Sequence, residues 1–246
     1  MVLVMGDQPR VVQRVPGVCG ELVLRRAGDA FEIIANGMFL MDTRDGRSER
    51  QLATAAADAM RPGGRMLIGG LGVGYSVRAA LDRGVGEIVV VERETAVIDW
   101  NRGPLAAGHG DVLADPRVRC VAADLVEWLG GVGEAFDAIC LDIDNGPEWT
   151  VTADNAALYG DTGIAGLRHR LHPGGVLAVW SAAASPAFEA ALRARFADVS
   201  VRYTEVARGE PDVVYLAVDR PRRPRCGAPR LSGAAASGNG GHTGRG

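Results

Sequence analysis

One stretch of the sequence decides the fold: Met66-Leu67-Ile68-Gly69-Gly70-Leu71-Gly72-Val73-Gly74-Tyr75-Ser76. An apolar run ends in glycines, and a helical pattern over residues 75–83 follows directly. A buried strand that turns into a helix through glycines lets the backbone approach a bound nucleotide-like ligand. Gly70, Gly72 and Gly74 have the spacing GxGxG, which differs from the GxGxxG of dinucleotide-binding folds. The stretch therefore predicts a nucleoside site at the carboxyl end of a parallel sheet.

Acidic residues end the next two apolar runs. Glu92 closes the strand predicted over residues 87–92, and Asp124 follows the strand predicted over residues 118–122. A carboxylate at the first position can accept hydrogen bonds from ribose hydroxyls, and one at the second can accept from an adenine amine. Two alternatives stay open, because Glu92 also suits a helix start and Asp124 also suits a helix N-cap.

Strand and helix patterns alternate from residue 61 to residue 219. Strands are predicted over residues 65–69, 87–92, 118–122, 136–142, 176–180, 199–204 and 213–218, and helices over 75–83, 95–100, 125–129, 155–171 and 186–196. The strand runs are apolar on both faces, as a sheet covered by helices requires. The predicted fold class is α/β, with a Rossmann-like seven-stranded sheet that closes on an antiparallel pair.

The N-terminal region has a different pattern. Strands are predicted over residues 21–26, 30–35 and 38–42, with an Asn36-Gly37 hairpin turn, whereas residues 1–17 have no clear pattern. Ser48 followed by Gln51 fits a capping box that begins a helix through Met60. We expect three parts: an N-terminal β region with its linking helix (1–60), a Rossmann-like domain (61–219) and a disordered tail rich in Arg, Gly and Pro (220–246).

Composition excludes several chemistries. All 27 basic residues are Arg, so a Schiff-base lysine and a Walker-type phosphate loop are both excluded. The net charge of -3 argues against a nucleic-acid partner. The four cysteines are far apart, so neither a metal site nor a disulfide framework is expected. The N-terminus does not fit a signal peptide and no apolar run is long enough to cross a membrane, so a cytoplasmic location without membrane contact is expected.

A family resemblance rests on several further motifs. They are the Gly69-Gly70 pair, the strand ending in Glu92, Asp115-Pro116-Arg117-Val118, Asp124, the run from Phe136 to Asp142, and the helix end with Pro173-Gly174-Gly175. Over residues 19–219 the chain resembles the spermidine synthase branch of the class I S-adenosylmethionine-dependent transferases. The resemblance implies S-adenosylmethionine, or its decarboxylated form, as the donor. It implies Gly70, Gly72, Gly74, Glu92 and Asp124 as the donor-binding residues.

The reaction is predicted from how the chain departs from that family. Asp142 is retained and is the expected catalytic carboxylate, with Asp144 beside it as a second catalytic or acceptor-binding acid. Leu71-Gly72-Val73 replaces a loop that usually carries an Asp in the family, and only part of the family's polyamine-binding acids is kept. Methyl transfer to a small-molecule acceptor is therefore the leading expectation. Aminopropyl transfer to an amine is the second, and a non-catalytic nucleoside-binding protein is the third.

Three further expectations concern partners. A donor that keeps its carboxylate needs a cation or a backbone N–H, and Arg44, Arg47 and Arg78 are the candidates by position in the sequence. Glu148 is expected to bind the acceptor, and Trp149 and Tyr159 are expected to be walls of its pocket. The oligomeric state stays open, with a homodimer as one option, and the Arg-rich tail is read as solvated or as an interaction segment.

Overall fold

The computed structural model describes residues 8–131, 133–143, 145–150, 154–207 and 209–219. The strands within these ranges are β1 (Arg10–Gly17), β2 (Gly20–Ala27), β3 (Ala30–Ala35), β4 (Met38–Asp42), β5 (Arg65–Gly69), β6 (Glu87–Glu92), β7 (Val118–Ala122), β8 (Phe136–Leu141), β9 (Leu171–Ser181), β10 (Asp198–Thr204) and β11 (Asp212–Val218). The α-helices are α1 (Arg47–Ala59), α2 (Tyr75–Asp82), α3 (Thr95–Arg102), α4 (Ala106–His109), α5 (Leu125–Gly131), α6 (Ala156–Tyr159), α7 (Asp161–His169) and α8 (Pro186–Arg195), with a 3-10 turn at Val112–Ala114. The predicted tail, residues 220–246, lies outside the described residues.

A seven-stranded sheet forms the centre of the molecule, and it confirms the predicted fold class. Its order is β10-β11-β9-β8-β5-β6-β7, with parallel pairing from β9 to β7 and antiparallel pairing at β11 and β10. Successive strand residues point to opposite faces. Met66, Ile68 and Val90 therefore pack into one apolar layer, and Leu67 and Val89 pack into the other. Both faces are buried, which explains why these strands read as continuous apolar runs.

A second sheet of four antiparallel strands, in the order β1-β2-β3-β4, precedes the main sheet. The indole Nε1 of Trp100 in α3 donates to Gln13 Oε1 over 2.6 Å, and the backbone N–H of Val18 donates to Glu94 over 2.9 Å. The hydroxyl of Tyr75 donates to the carbonyl of Thr43 over 2.7 Å. These bonds fix the small sheet against α2 and α3. Sequence patterning misses β1 because that strand is largely exposed.

Two predicted helix boundaries are wrong. The helix predicted over residues 155–171 breaks at Gly160, which has an extended backbone (φ -79°, ψ 173°), and α7 ends at His169. β9 then begins at Leu171 and runs through the glycines that were read as a helix stop. The capping box is also wrong: Gly46 is the N-cap of α1, and Ser48 lies inside the helix, where its hydroxyl donates to Glu49 Oε2 over 3.0 Å.

Candidate active site

The candidate site lies at the carboxyl end of the main sheet, where the strand order reverses. β6 and β7 extend from one side of β5, and β8 and β9 extend from the other. Gly69 at the end of β5 is in register with Leu141 at the end of β8, and the backbone N–H of Asp142 donates to the carbonyl of Gly69 over 2.9 Å. Open α/β sheets bind ligands at such a switch point. The glycine loop and Asp142 therefore emerge side by side.

The glycine loop, residues 69–74, has a backbone that requires glycine. Three glycines of the loop have positive backbone φ values that other residues rarely adopt: 87° at Gly70, 51° at Gly72 and 83° at Gly74. A Cβ on Gly70 would lie 2.2 Å from the carbonyl oxygen of Asp142, so only a glycine lets the loop pass this close to the backbone that follows β8. The N–H of Gly70 donates to the carbonyl of Val91, and the N–H of Gly74 donates to that of Leu71, both over 2.9 Å.

Glu92 stands at the end of β6, beside this loop. Its Oε2 accepts the N–H of Leu71 over 2.9 Å, and its Oε1 accepts the N–H of Glu94 over 2.8 Å. Burial raises the pKa of Glu92, and the two backbone donors oppose that rise. A carboxylate has about four acceptor positions. The side chain can therefore hold the loop and still accept from ribose hydroxyls, so its predicted binding role stays a prediction.

Asp124 follows β7 and caps α5. Its Oδ1 accepts the N–H groups of Val126 over 2.8 Å and of Glu127 over 3.2 Å. This is the N-cap geometry that the sequence left open as the alternative. Both bonds use the same oxygen, so the other oxygen can still face an adenine amine, which stays a prediction.

Met41 at the end of β4 is a neighbour of the glycine loop that the sequence did not reveal. Its sulfur and methyl carbon lie 2.7 Å from where a Cβ on Gly72 would stand. The N-terminal sheet therefore supplies an apolar wall to the donor side of the cleft. The sequence signal for this wall was the apolar run Met38 to Met41, which we had predicted only as part of a strand.

Asp142 follows β8 and is partly buried at the centre of the cleft. Its Oδ2 accepts the hydroxyl of Ser76 over 3.2 Å, and the same hydroxyl lies 3.3 Å from the carbonyl of Glu49. Burial and, after it, the nearby negative charge of Glu49 together raise the pKa of Asp142 to about 7. A carboxyl group with that pKa exchanges a proton readily near neutral pH, as a general base must.

Glu49 and Asp212 complete what we call the acid cluster, with Asp142 as its third member. Burial raises the pKa of both Glu49 and Asp212, and the charge of Asp212 raises the pKa of Glu49 as well as that of Asp142. Glu49 lies in the first turn of α1, which packs on β8, β9 and β11. Asp212 begins β11, whose next residue, Val213, pairs with the last residue of β9.

Sequence reasoning missed both acids of that pair as site residues. β11 runs antiparallel to β9, so its first residue lies at the edge where the parallel strands end. A residue that starts an antiparallel strand can thus share a site with residues that follow parallel strands. Recognising the antiparallel pair, which the sequence did predict, is the signal that could have located Asp212. No local signal located Glu49.

The other predicted acceptor residues lie elsewhere or are not described. Asp144 lies outside the described residues. Glu148 accepts the hydroxyl of Ser185 over 2.6 Å, and Trp149 is 64% exposed. Tyr159 is buried in the core, edge-on to Phe188 with ring centroids 5.8 Å apart, so it is not a pocket wall. Of the residues expected on the acceptor side, Asp142 lies in the acid cluster, and the predicted roles of Asp144 and Glu148 stay predictions.

The three arginines proposed as partners for a donor carboxylate are all paired with acids. Arg44 bonds Glu32 over 2.7 Å and also pairs with Asp42. Arg47 bonds Asp45 over 2.7 Å, and Arg78 pairs with Asp82 one helical turn away. Within the described residues none of the three forms an ion pair with the acid cluster, although the charge of Arg47 lowers the pKa of Asp212.

Neither a metal site nor a membrane-spanning helix is present in the described ranges. They contain no group of three or more His, Cys, Asp or Glu side chains placed to hold a metal ion. None of their helices combines the length and apolar character needed to cross a membrane. Cys19, Cys120 and Cys140 are free thiols.

No family model matches the chain. Among curated proteins, the polyamine aminopropyltransferase of Mycobacterium tuberculosis is 32% identical over 164 residues, which are 65% of this chain and 30% of that protein. The polyamine aminopropyltransferase of Korarchaeum cryptofilum is 30% identical over 79 residues, or 32% of this chain and 25% of that protein. The chain thus spans less than a third of the length of these relatives.

Solved structures show the same fold. A spermidine synthase in complex with the transition-state analogue AdoDATO superposes with a TM-score of 0.69 and 19% identity, covering 85% of this chain and 74% of that one. The spermidine synthase of Thermotoga maritima gives a TM-score of 0.68 and 17% identity, covering 85% and 72%. The resemblance to spermidine synthases is confirmed. The expectation of methyl transfer is wrong, because these relatives are named for aminopropyl transfer.

Proposed function

We propose that the protein transfers an aminopropyl group from decarboxylated S-adenosylmethionine to an amine. The observation that carries this proposal is the acid cluster at the end of the glycine loop. The N–H of Asp142 bonds the carbonyl of Gly69, the Ser76 hydroxyl bonds Asp142 and lies 3.3 Å from the Glu49 carbonyl, and the charges of Glu49 and Asp212 both act on Asp142. The sequence had suggested that too few carboxylates were kept for a polyamine. Glu49 and Asp212 are two further carboxylates that were not counted from the sequence.

The charge of the cluster favours cationic substrates. The decarboxylated donor has a sulfonium and a primary ammonium, and an amine acceptor brings further positive charge. Opposite charges a few ångströms apart in a partly buried site attract strongly, and like charges repel. A donor that keeps its carboxylate would meet the acid cluster, and the arginines that could neutralise it are paired elsewhere. The cluster therefore selects against the ordinary methyl donor.

In this reaction each residue of the site has one task. The glycine loop, Glu92 and Asp124 hold the nucleoside, and Met41 bounds it on the side of the N-terminal sheet. Glu49 and Asp212 attract the acceptor and hold its ammonium groups. Holding both reactants in line supplies much of the rate.

The chemical step is a displacement at carbon. The lone pair of the acceptor nitrogen forms a bond to the donor methylene next to sulfur, and the carbon–sulfur bond breaks with its electron pair going to sulfur. Methylthioadenosine leaves, and the proton lost by the nitrogen passes to Asp142. A carboxylate whose pKa lies at about 7 is basic enough to accept that proton.

Turnover with each donor tests the proposal. The purified chain is incubated with decarboxylated or ordinary S-adenosylmethionine and a panel of diamines and polyamines, and the nucleoside product is identified by chromatography. We expect methylthioadenosine from the decarboxylated donor, dependent on both the amine and Asp142. S-adenosylhomocysteine from the ordinary donor would contradict the proposal. Tight binding of either donor without any product would favour a nucleoside-binding protein instead.

A further inference from the structure

A buried amide lies directly beneath the glycine loop. Asn101 in α3 is fully buried, and its Nδ2 donates to the carbonyl of Gly72 over 2.8 Å. The second hydrogen of Nδ2 bonds the carbonyl of Val97, one turn earlier in the same helix, also over 2.8 Å. One side chain thus ties the loop to the helix behind it.

The remaining polar atoms at this place have no partner among the described residues. Asn101 Oδ1 and His109 Nε2 are both buried and lack a hydrogen-bond partner. The N–H of Val112 lies 3.4 Å from His109 Nδ1, which places the imidazole proton on Nε2, and burial lowers the pKa of this histidine. Buried polar atoms without partners cost stability. Because Asn101 and His109 each leave one buried polar atom without a hydrogen bond, these residues point to a role other than stability.

Both side chains lie against Gly74. A Cβ there would lie 3.0 Å from Asn101 Oδ1 and 2.9 Å from His109 Cδ2. Together with the bond to Gly72, this contact fixes the second half of the loop from below. The first half is fixed by other partners, since Gly70 bonds Val91 and the N–H of Leu71 bonds Glu92.

We propose that Asn101 is a positioning residue that holds the glycine loop in its donor-binding conformation. The loop has three glycines with positive φ, and glycine has the greatest backbone freedom of any residue. A loop that must be ordered on binding loses affinity, whereas a preorganised one does not. The Asn101 amide therefore sets the affinity for the nucleoside, while Asp142 sets the rate. The inference rests on the proposed function only in that the loop contacts the donor.

Asn101→Ser is the most direct variant. A serine hydroxyl in a helix can bond the carbonyl of Val97 one turn back, but it is too short to reach Gly72. Asn101→Asp keeps an oxygen in place and puts a carboxylate against the Gly72 carbonyl. The matched control is Asp137→Asn. Asp137 is buried near the start of β8, at the opposite end of that strand from Asp142, where it bonds Arg61 and the N–H of Arg65.

Calorimetry with methylthioadenosine, thermal unfolding and steady-state kinetics with the decarboxylated donor separate the outcomes. We expect Asn101→Ser to raise the Kd for methylthioadenosine and the KM for the donor about tenfold, the size of one lost hydrogen bond. Asn101→Asp should raise them further. The kcat and the acceptor KM should change less than twofold, and Asp137→Asn should lower Tm without weakening nucleoside binding.

Three results would overturn parts of this scheme. Unchanged nucleoside binding by Asn101→Ser would refute the positioning role and leave the proposed function intact. Equal weakening by Asp137→Asn would show a general loss of stability and would also refute it. If the wild-type chain binds neither methylthioadenosine nor the decarboxylated donor, the proposed function itself fails and the inference falls with it.

Discussion

On the donor side of the cleft, the proposed ligand-binding groups come from three consecutive strand-to-helix turns. On the acceptor side, the acid cluster draws Glu49, Asp142 and Asp212 from three distant parts of the chain. The donor side is largely backbone geometry fixed by glycine, whereas the acceptor side is side-chain charge concentrated by burial. Substitutions on the donor side should therefore impair folding and nucleoside binding. Substitutions on the acceptor side should instead lower the rate and the affinity for the acceptor.

The largest expected effect separates rate from binding. Asp142→Asn removes the proton acceptor and should lower kcat by about 10²- to 10⁴-fold. Its Kd for methylthioadenosine should stay within a few fold of wild type, because the nucleoside is held by the other side. Stopped assays and calorimetry measure the two quantities. Asp82→Asn, which alters an exposed acid paired with Arg78, is the control and should change neither. A kcat that survives Asp142→Asn would show that this carboxylate is not the base.

The next effect tests the backbone of the donor side. Gly70→Ala forces a side chain into a left-handed backbone and against the Asp142 carbonyl. We expect it to lower the free energy of unfolding by about 3 kcal/mol or more and to abolish nucleoside binding.

Gly84→Ala is the matched control, measured by urea unfolding beside it. Gly84 has φ 73°, but its Cβ would meet nothing within 4 Å. Its cost should be about 1 kcal/mol, with binding unchanged. Equal costs for the two variants would show that backbone strain, and not the contact with β8, decides the role of Gly70.

The acid cluster gives an intermediate effect. Glu49→Gln and Asp212→Asn each remove one negative charge and should raise the acceptor KM about tenfold, an effect of roughly 1.4 kcal/mol. The donor KM should change less. Initial rates over a matrix of donor and acceptor concentrations give both constants. Glu189→Gln, which alters a partly exposed acid paired with Arg193 in α8, serves as control. A change confined to the donor KM would show that Glu49 and Asp212 interact with the donor and not with the acceptor.

The smallest effect is a shift along the pH axis. If Asp142 acts as the base, kcat/KM should rise with pH through a midpoint near 7. Glu49→Gln removes a neighbouring negative charge, so the pKa of Asp142 falls and the midpoint should move to lower pH by a fraction of a unit. An unmoved midpoint in this variant would show that Glu49 and Asp142 do not interact.

Stability should respond to the same group with the opposite sign. The pKa of Asp142 is raised by folding from 3.8 to about 7, so the folded protein holds this proton while the unfolded chain has lost it. Stability is therefore favoured at low pH and falls as pH rises through that window, with no further change from this group above it. Urea unfolding at pH 5 and pH 8 should show a larger loss for wild type than for Asp142→Asn. An equal loss would place the raised pKa in doubt.

Much of the donor side could be predicted from sequence because its parts are local. The bounds of β6 and β7, the positions of Glu92 and Asp124 and the glycine loop all follow from apolar runs and the residues that end them. The sequence left open which hydrogen bonds the carboxylate oxygens of Glu92 and Asp124 make within the protein. Asp124 caps α5 and Glu92 bonds the loop backbone, and only the tertiary structure shows which carboxylate oxygen makes each bond.

The acceptor side was predicted poorly for a physical reason. Asp142 was found because it follows a strand, but Glu49 lies in a helix of the N-terminal region and Asp212 precedes a strand. Neither position has a pattern that marks a site. The prediction of methyl transfer followed from counting acids in register with family motifs, and that count omitted acids supplied from elsewhere in the chain.

The sequence by itself determined the strands of the main sheet and the residues at its carboxyl edge. Because every basic residue is Arg, it also excluded chemistry that needs a lysine. Apolar periodicity and glycine positions are local properties, so they fix strands and turns before the chain folds. Only the tertiary structure decided which charges share the cleft. Electrostatic interaction depends on distance in space and on burial, and both arise when α1 and the antiparallel β11 pack against the parallel strands.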